Sequence, residues 1–256
     1  MGVLLLNRGG NRVSLTAAGS SFLADSKRLL AMSASNVLSA QRLGHGENVQ
    51  LNIGYIANVH YHLLPATLGA FRSAYPNVAL NLFDMTCAEQ FRALEEHKID
   101  LGFVGLRESL IGSALRRECV AHYKVLVALP ADSRLAKRAW INLKELDSVF
   151  FVGLSEVTYP GSRDWLLNLA PRAGFTPKIL QDADREPAVL SFVAAGLGVA
   201  LMPEQVQKLP HDGVVFRPLR PAIRAESCIA WRDDNLSRPL QEYIEIVKRT
   251  SGHAAA

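Results

Sequence analysis

Cysteine is scarce in this chain, and the three present, Cys87, Cys119 and Cys228, are odd in number and far apart. That excludes a disulfide framework, fits a reducing cytosol and, with no CxxC pair, argues against zinc. Long apolar runs are also missing. The opening MGVLLLN is apolar for a few residues and then meets Arg8, too short for a secretory signal core or a bilayer span, so a soluble cytoplasmic protein with no membrane partner is expected. Charge of one sign is not concentrated: 28 Lys and Arg against 24 Asp and Glu leave a net +4, and this mild excess does not by itself establish nucleic-acid binding.

Motifs of chemistry are missing too. No GxSxG occurs and no nucleophile pairs with a base, so no catalytic residue is expected. His60 and His62 with Cys87 have the wrong spacing for helical metal ligands, and neither a metal nor a cofactor is expected. Gly196-Leu197-Gly198 follows a helix and precedes a strand. Nucleotide fingerprints do the reverse, so these glycines read as structural.

What is present is an ordered series of elements. With 49% hydrophobic residues in 256, length favours two domains. Gly9-Gly10 suits a tight hairpin. Thr16 then caps a proline-free stretch, Ala17 to Leu43, whose Phe22, Leu23, Leu29, Leu30 and Val37 recur at helical spacing and call for a packing partner. Residues 44–48 read as a linker. Strands at 49–56, 78–83 and 99–104 alternate with helices running to Tyr75 and over 89–97, which predicts parallel pairing with right-handed crossovers. Further strands are expected at 123–129, 149–152, 179–180, 199–201, 214–216 and 228–231. Helices are expected at 161–173, at 187–195 between Pro187 and Gly196, and at the C-terminus through Leu240, Tyr243, Ile244 and Val247.

Leu5-Leu6-Asn7-Arg8 and Val13-Ser14-Leu15-Thr16-Ala17-Ala18-Gly19 resemble the wing and linker-helix start of the LysR-type transcriptional regulators. The resemblance continues through Leu51-Asn52-Ile53-Gly54, Leu63-Leu64-Pro65, Phe71 to Pro76, Ile99 to Phe103, Val127 to Pro130, Val193 to Pro203 and Trp231-Arg232. Ala17 departs from the family's glutamate at that point. The resemblance implies an α/β fold: a two-lobed effector domain like the type 2 periplasmic binding proteins, preceded by a long linker helix and a remnant winged-helix hairpin. Its divisions would be a wing at 1–16, a dimerisation helix and hinge at 17–48, and an effector-binding domain at 49–250. The first lobe would hold about 49–121 and 228–250, and the second about 122–227. Most of the helix-turn-helix would stand ahead of Leu6, where five residues are present. The expectation is therefore a chain that binds a small organic effector, above all a carboxylate, and forms a homodimer or homotetramer, with operator DNA a partner of the intact family.

The candidate site residues follow. Asn58, Val59 and His60 stand between the first strand and the next helix, where unpaired N–H groups favour an anion and the family places a main effector contact. Thr86 matches a ligand-facing hydroxyl of the family and equally suits a helix cap. Gly105, ending the third strand, lets a ligand approach the backbone, with Arg107 a weaker candidate beyond it. Tyr159 and Pro160 should face the cleft from the second half, although a packed hinge tyrosine reads as well. Asp184 lies at a cleft-lining position and implies either a polar or amine-bearing ligand or pairing with Arg185. Arg8 and Arg12 flank the wing turn and suit phosphate contacts. The rival functions are a free solute-binding protein and a small dehydratase-like enzyme on the same two lobes.

Overall fold

At the N-terminus a glycine is forced by a close backbone approach. A Cβ on Gly19 would stand 1.8 Å from the carbonyl oxygen of Leu5. In the computed structural model, which describes residues 1–9, 12–44, 49–56, 63–105, 115–147, 149–235 and 237–252, this contact joins a hairpin to a helix. The hairpin is β1 (Leu6–Gly9) against β2 (Arg12–Leu15), antiparallel with Leu6 opposite Leu15. Thr16 then ties the junction twice. Its hydroxyl donates to the Leu4 carbonyl at 2.8 Å and accepts from Gly19 N at 2.9 Å, capping the helix α1 (Ala17–Gly44). At 1.5 Å per residue these 28 residues extend roughly 42 Å. Leu29 and Leu30 on α1 are 63% and 71% exposed, so the helix presents apolar surface that none of the described residues covers.

The first α/β half is built from β3 (Val49–Tyr55), α2 (Leu63–Ala74), β4 (Val78–Asp84), α3 (Cys87–Glu95) and β5 (Leu101–Val104). Strand β3 pairs in parallel with both β4 and β5, as the alternation predicts. The C-terminal helix α6 (Arg238–Gly252) returns to this half and buries Leu240, Tyr243, Ile244 and Val247, the residues its periodicity marks. Tyr243 meets the edge of Phe71 at 5.2 Å, and its hydroxyl shares a hydrogen bond of 3.0 Å with Thr67. Arg232 donates from Nη1 to the carbonyls of Leu94, which also accepts from His97 N, and Ile99, both at 3.0 Å, and so ties the strand that ends at Arg232 to the turn between α3 and β5.

In the second half, β8 (Phe150–Leu154) pairs in parallel with β9 (Lys178–Ala183), and α4 (Ser162–Ala173) and α5 (Glu186–Ala194) pack beside them. Pro187 lies in the first turn of α5, where its missing N–H costs nothing. A Cβ on Gly198 would fall 2.5 Å from the Phe150 carbonyl oxygen, so the glycine run serves chain packing, as read. Here the topology departs from simple alternation: β10 (Ala200–Pro203) and β11 (Val214–Arg220) both run antiparallel to β6 (Leu115–Pro130). A two-residue strand at Ile141–Asn142, named β7, and three 3₁₀ turns were not expected.

The largest difference concerns β6 and β12 (Arg224–Arg232). Residues 123–129 and 228–231 were expected as short strands, yet β6 runs for 16 residues and β12 for nine, antiparallel from Arg224 opposite Lys124 to Arg232 opposite Leu115. The added parts are largely polar, with Arg116, Cys119, His122, Arg224 and Glu226 exposed, so they lack the continuous apolar signal of a buried strand. Leu115 and Cys228 belong to the first core, whereas Val125 and Ala225 belong to the second. These two strands thus pass from one core to the other. Their register slips once: Ser227 pairs with Ala121 but Cys228 with Cys119, leaving Val120 as an extra residue in a β-bulge. Among the described residues, no helix is long and apolar enough to cross a membrane.

Candidate functional site

A cavity of about 130 Å³ lies where the two halves meet. The first half contributes Ile56 after β3, Gly105 after β5 and Cys87 at the start of α3. These stand at the carboxyl ends of parallel strands, where open α/β sheets hold ligands. Most of the wall comes from the second half: Val125, Phe151 to Leu154, Trp165, Leu166 and Leu201 to Pro203 supply apolar surface. For scale, an apolar protein cavity of about 150 Å³ accommodates a benzene ring.

One buried polar pair interrupts this wall. The Tyr159 hydroxyl donates to Glu186 Oε2 at 3.0 Å, and Glu186 is only 2% exposed although it is charged in water. Glu186 opens α5 and is followed by Pro187, so the carboxylate of the first helical turn faces inward. Burial pushes its carboxyl above the usual carboxylate range, while the bond from Tyr159 acts in the opposite direction. Burial also raises the Tyr159 phenol and pushes the Cys87 thiol up to about 12. Cys87 Sγ accepts from Gly105 N at 3.4 Å, which ties α3 to the end of β5.

Beside the cavity the halves are joined directly. Arg185 Nη1 lies 3.1 Å from Asp84 Oδ1 and Nη2 lies 3.7 Å from Glu89 Oε2. Ala88 N donates to the Thr158 carbonyl at 3.1 Å. The pairing of Arg185 with Asp184 read from the sequence is therefore corrected. The arginine reaches across to β4 and α3, where two carboxylates converge.

Of the sequence candidates, Gly105, Tyr159 and Pro160 line the cavity together. Asp184 is exposed and outside its lining. Thr86 is buried next to the lining residue Cys87 and caps α3: its hydroxyl accepts from Glu89 N at 3.3 Å, and Glu89 Oε2 accepts from Thr86 N at 2.7 Å. Asn58, Val59, His60 and Arg107 lie outside the described residues. Arg8 and Arg12 stand on the two hairpin strands beside the turn, and their side chains lie outside the described part. Sequence reasoning missed Cys87, Phe151, Trp165, Glu186 and Glu226 as lining residues. Only Glu186 carried a signal, as an acid beside Pro187 at a helix start. Among the described residues, one cluster of metal-ligating groups occurs, Cys119, His122 and Glu226 on the β6 and β12 ribbon, and only Glu226 is shared with the cavity.

Residues 44–252 match the family described as the LysR substrate binding domain. The chain belongs to the LysR family of transcriptional regulators. It is 30% identical over 256 residues to the Hca operon transcriptional activator HcaR of Escherichia coli K12, covering 97% of this chain and 83% of that one. Full-length BenM is similar in structure, with 25% identity and a TM-score of 0.68 over 99% of this chain and 84% of that chain. The effector-binding domain of QuiR, solved with shikimate, matches at 17% identity and a TM-score of 0.72, covering 82% of this chain and all 100% of that one. The fold of this LysR-family chain is thus a mixed α/β, periplasmic-binding-protein-like effector domain behind an N-terminal helix. Its relatives are transcriptional regulators, not enzymes, and the dehydratase-like alternative is set aside on that ground.

Proposed function

We propose that this LysR-family regulator senses a small, single-ring organic acid in the cavity between its halves. The observation that carries the reading is the cavity itself: about 130 Å³, mostly apolar, and bordered by strand ends of one half and the wall of the other. A ring would sit against Phe151, Trp165 and Leu166. Gly105, Tyr159 and Pro160 would border it, and the pair of Tyr159 with Glu186 would meet a polar substituent. Lysine, arginine and histidine are missing from the described lining, so a carboxylate would be received by Asn58, Val59 and His60 ahead of α2, where helix N–H groups favour an anion. Thr86 and Asp184, neighbours of the lining, would act on the ligand through Cys87 and Glu186. The effector-binding domain of BenM has been solved with its effector benzoate and that of QuiR with shikimate, two ring acids.

Ligand binding between the halves would favour one arrangement of them, and oligomerisation through the exposed seam of α1 would transmit it. The protein would work in the cytoplasm. Arg8 and Arg12, beside the hairpin turn, would contact phosphates of operator DNA, which gives register without base readout. Thermal-shift measurements with benzoate, shikimate and their uncharged amide analogues test the sensor. Stabilisation by a ring acid without turnover is expected. Failure of every ring acid, with stabilisation by the amides alone, overturns the organic-acid assignment.

A further inference from the structure

The bulge at Val120 has a chemical consequence. Residues 119 and 122 are three apart and would face opposite sides of a regular strand. The extra residue restores them to one side: His122 stands directly opposite Glu226, and Cys119 directly opposite Cys228. Glu226 and Cys228 are two apart on β12 and share a face by ordinary alternation. Two cross-strand pairs, a His–Glu and a Cys–Cys, thus stack on one side of the ribbon. Cys119 Sγ lies 3.8 Å from His122 Nε2, and His122 Nε2 lies 3.8 Å from Glu226 Oε1. The three ligand atoms are all within 4.8 Å of one another. In a tetrahedral zinc site with bonds of about 2.0–2.3 Å, ligand atoms stand roughly 3.3–3.8 Å apart, so little movement is required.

We propose that Cys119, His122 and Glu226, with Cys228 behind them, form a binding site for a borderline transition-metal cation of the zinc class. A thiolate, an imidazole and a carboxylate are the donor types such an ion takes, with solvent open to the fourth position, while Cys228 Sγ lies buried beneath, 4.0 Å from Glu226 Oε2. Arg117 Nη2 holds Glu226 Oε2 at 3.0 Å, which leaves Oε1 for the metal and orients the carboxylate, the usual task of an outer partner. Cys119, His122 and Glu226 are exposed, so an ion can reach them, and binding releases the thiol proton to solvent. The site is independent of the effector assignment.

Cobalt(II) titration of the full chain, without a histidine tag and under a non-chelating reductant, reads the site directly. A thiolate-to-cobalt charge-transfer band saturating at one ion per chain, and removed by added zinc, is the expected result. Cys119→Ser and His122→Ala should each weaken binding at least about tenfold while Cys87→Ser, in the effector cavity, leaves it unchanged. No band in the reduced chain overturns the proposal, as does a band that survives both substitutions. A Cys119–Cys228 disulfide formed in air by a chain that takes up no cobalt when reduced would assign the cluster to thiol redox chemistry instead.

Discussion

Removing the Tyr159 hydroxyl tests the physical account of the cavity. Tyr159→Phe keeps the ring and its packing but leaves Glu186 Oε2 without the 3.0 Å donor in a site where the residue is 2% exposed. An acceptor buried and unpaired costs about 1–3 kcal/mol, so a loss near 2 kcal/mol is expected, or about 4–8 °C in Tm for a domain of this size. The loss must depend on pH. Burial raises the Glu186 carboxyl, and the tyrosine bond, which favours the ionised form, partly counters this. With a native pKa above the unfolded one, the native state binds more protons in the window between them. Stability therefore falls as pH rises from the ordinary carboxylate range to the raised value, and each unit of separation corresponds to about 1.4 kcal/mol. Deleting the hydroxyl widens the window, so the variant loses more above it than in acid. Glu186→Gln keeps an acceptor and removes the titration: it should match the wild type in acid and exceed it at neutral pH. Urea unfolding from pH 4 to 8 measures both. A pH-independent difference for Tyr159→Phe, or a Gln variant less stable at neutral pH, would refute the reasoning.

The remaining expectations are briefer. Arg185→Ala removes the bridge to Asp84 and Glu89; because all three side chains are about half exposed, stability should change by less than about 1 kcal/mol, whereas small-angle scattering should show a more open average shape. An unchanged scattering profile would mean that the bridge does not hold the halves. Arg232→Met should cost about 1–3 kcal/mol by taking the donor from the Ile99 carbonyl, whereas the Leu94 carbonyl keeps its bond from His97 N, as measured by chemical unfolding; a near-neutral result would show that water replaces the guanidinium. Leu29→Glu with Leu30→Glu should lower the oligomeric state in analytical ultracentrifugation while leaving Tm at high dilution unchanged, and an unaltered sedimentation profile would exclude α1 as the contact.

Legibility followed the strength of the local signal. Helices with an apolar stripe, such as α6 through Leu240 and Val247, could be placed because burial imposes a 3.6-residue period on the sequence. The parallel strands of the first half stood out as short apolar runs for the same reason. The polar half of β6 did not: Arg116, Arg117 and Glu118 are in the sheet because β12 pairs with them, a partner about a hundred residues away that no local window contains. Among the site residues, Gly105, Tyr159 and Pro160 were reached through strand ends and loops. Phe151 and Trp165 look like any core aromatic in the sequence, and nothing local distinguishes a side chain that faces a void from one that faces a neighbour. Glu186 was passed over for Asp184, two residues before it. Which of two nearby acids turns inward is decided by where α5 begins.

The chain passes between the two halves along β6 and β12, and it does so as a single hydrogen-bonded ribbon. Two separate tethers would let the halves swing independently about each. A paired ribbon permits mainly twist, because bending in the plane of the sheet would break its ladder. The Val120 bulge, which already deepens the local twist, sits at that crossing. Motion between the halves is therefore funnelled into one torsional coordinate, and any ion or ligand that stiffens the ribbon at residues 119–122 acts on the whole relative rotation from a single point.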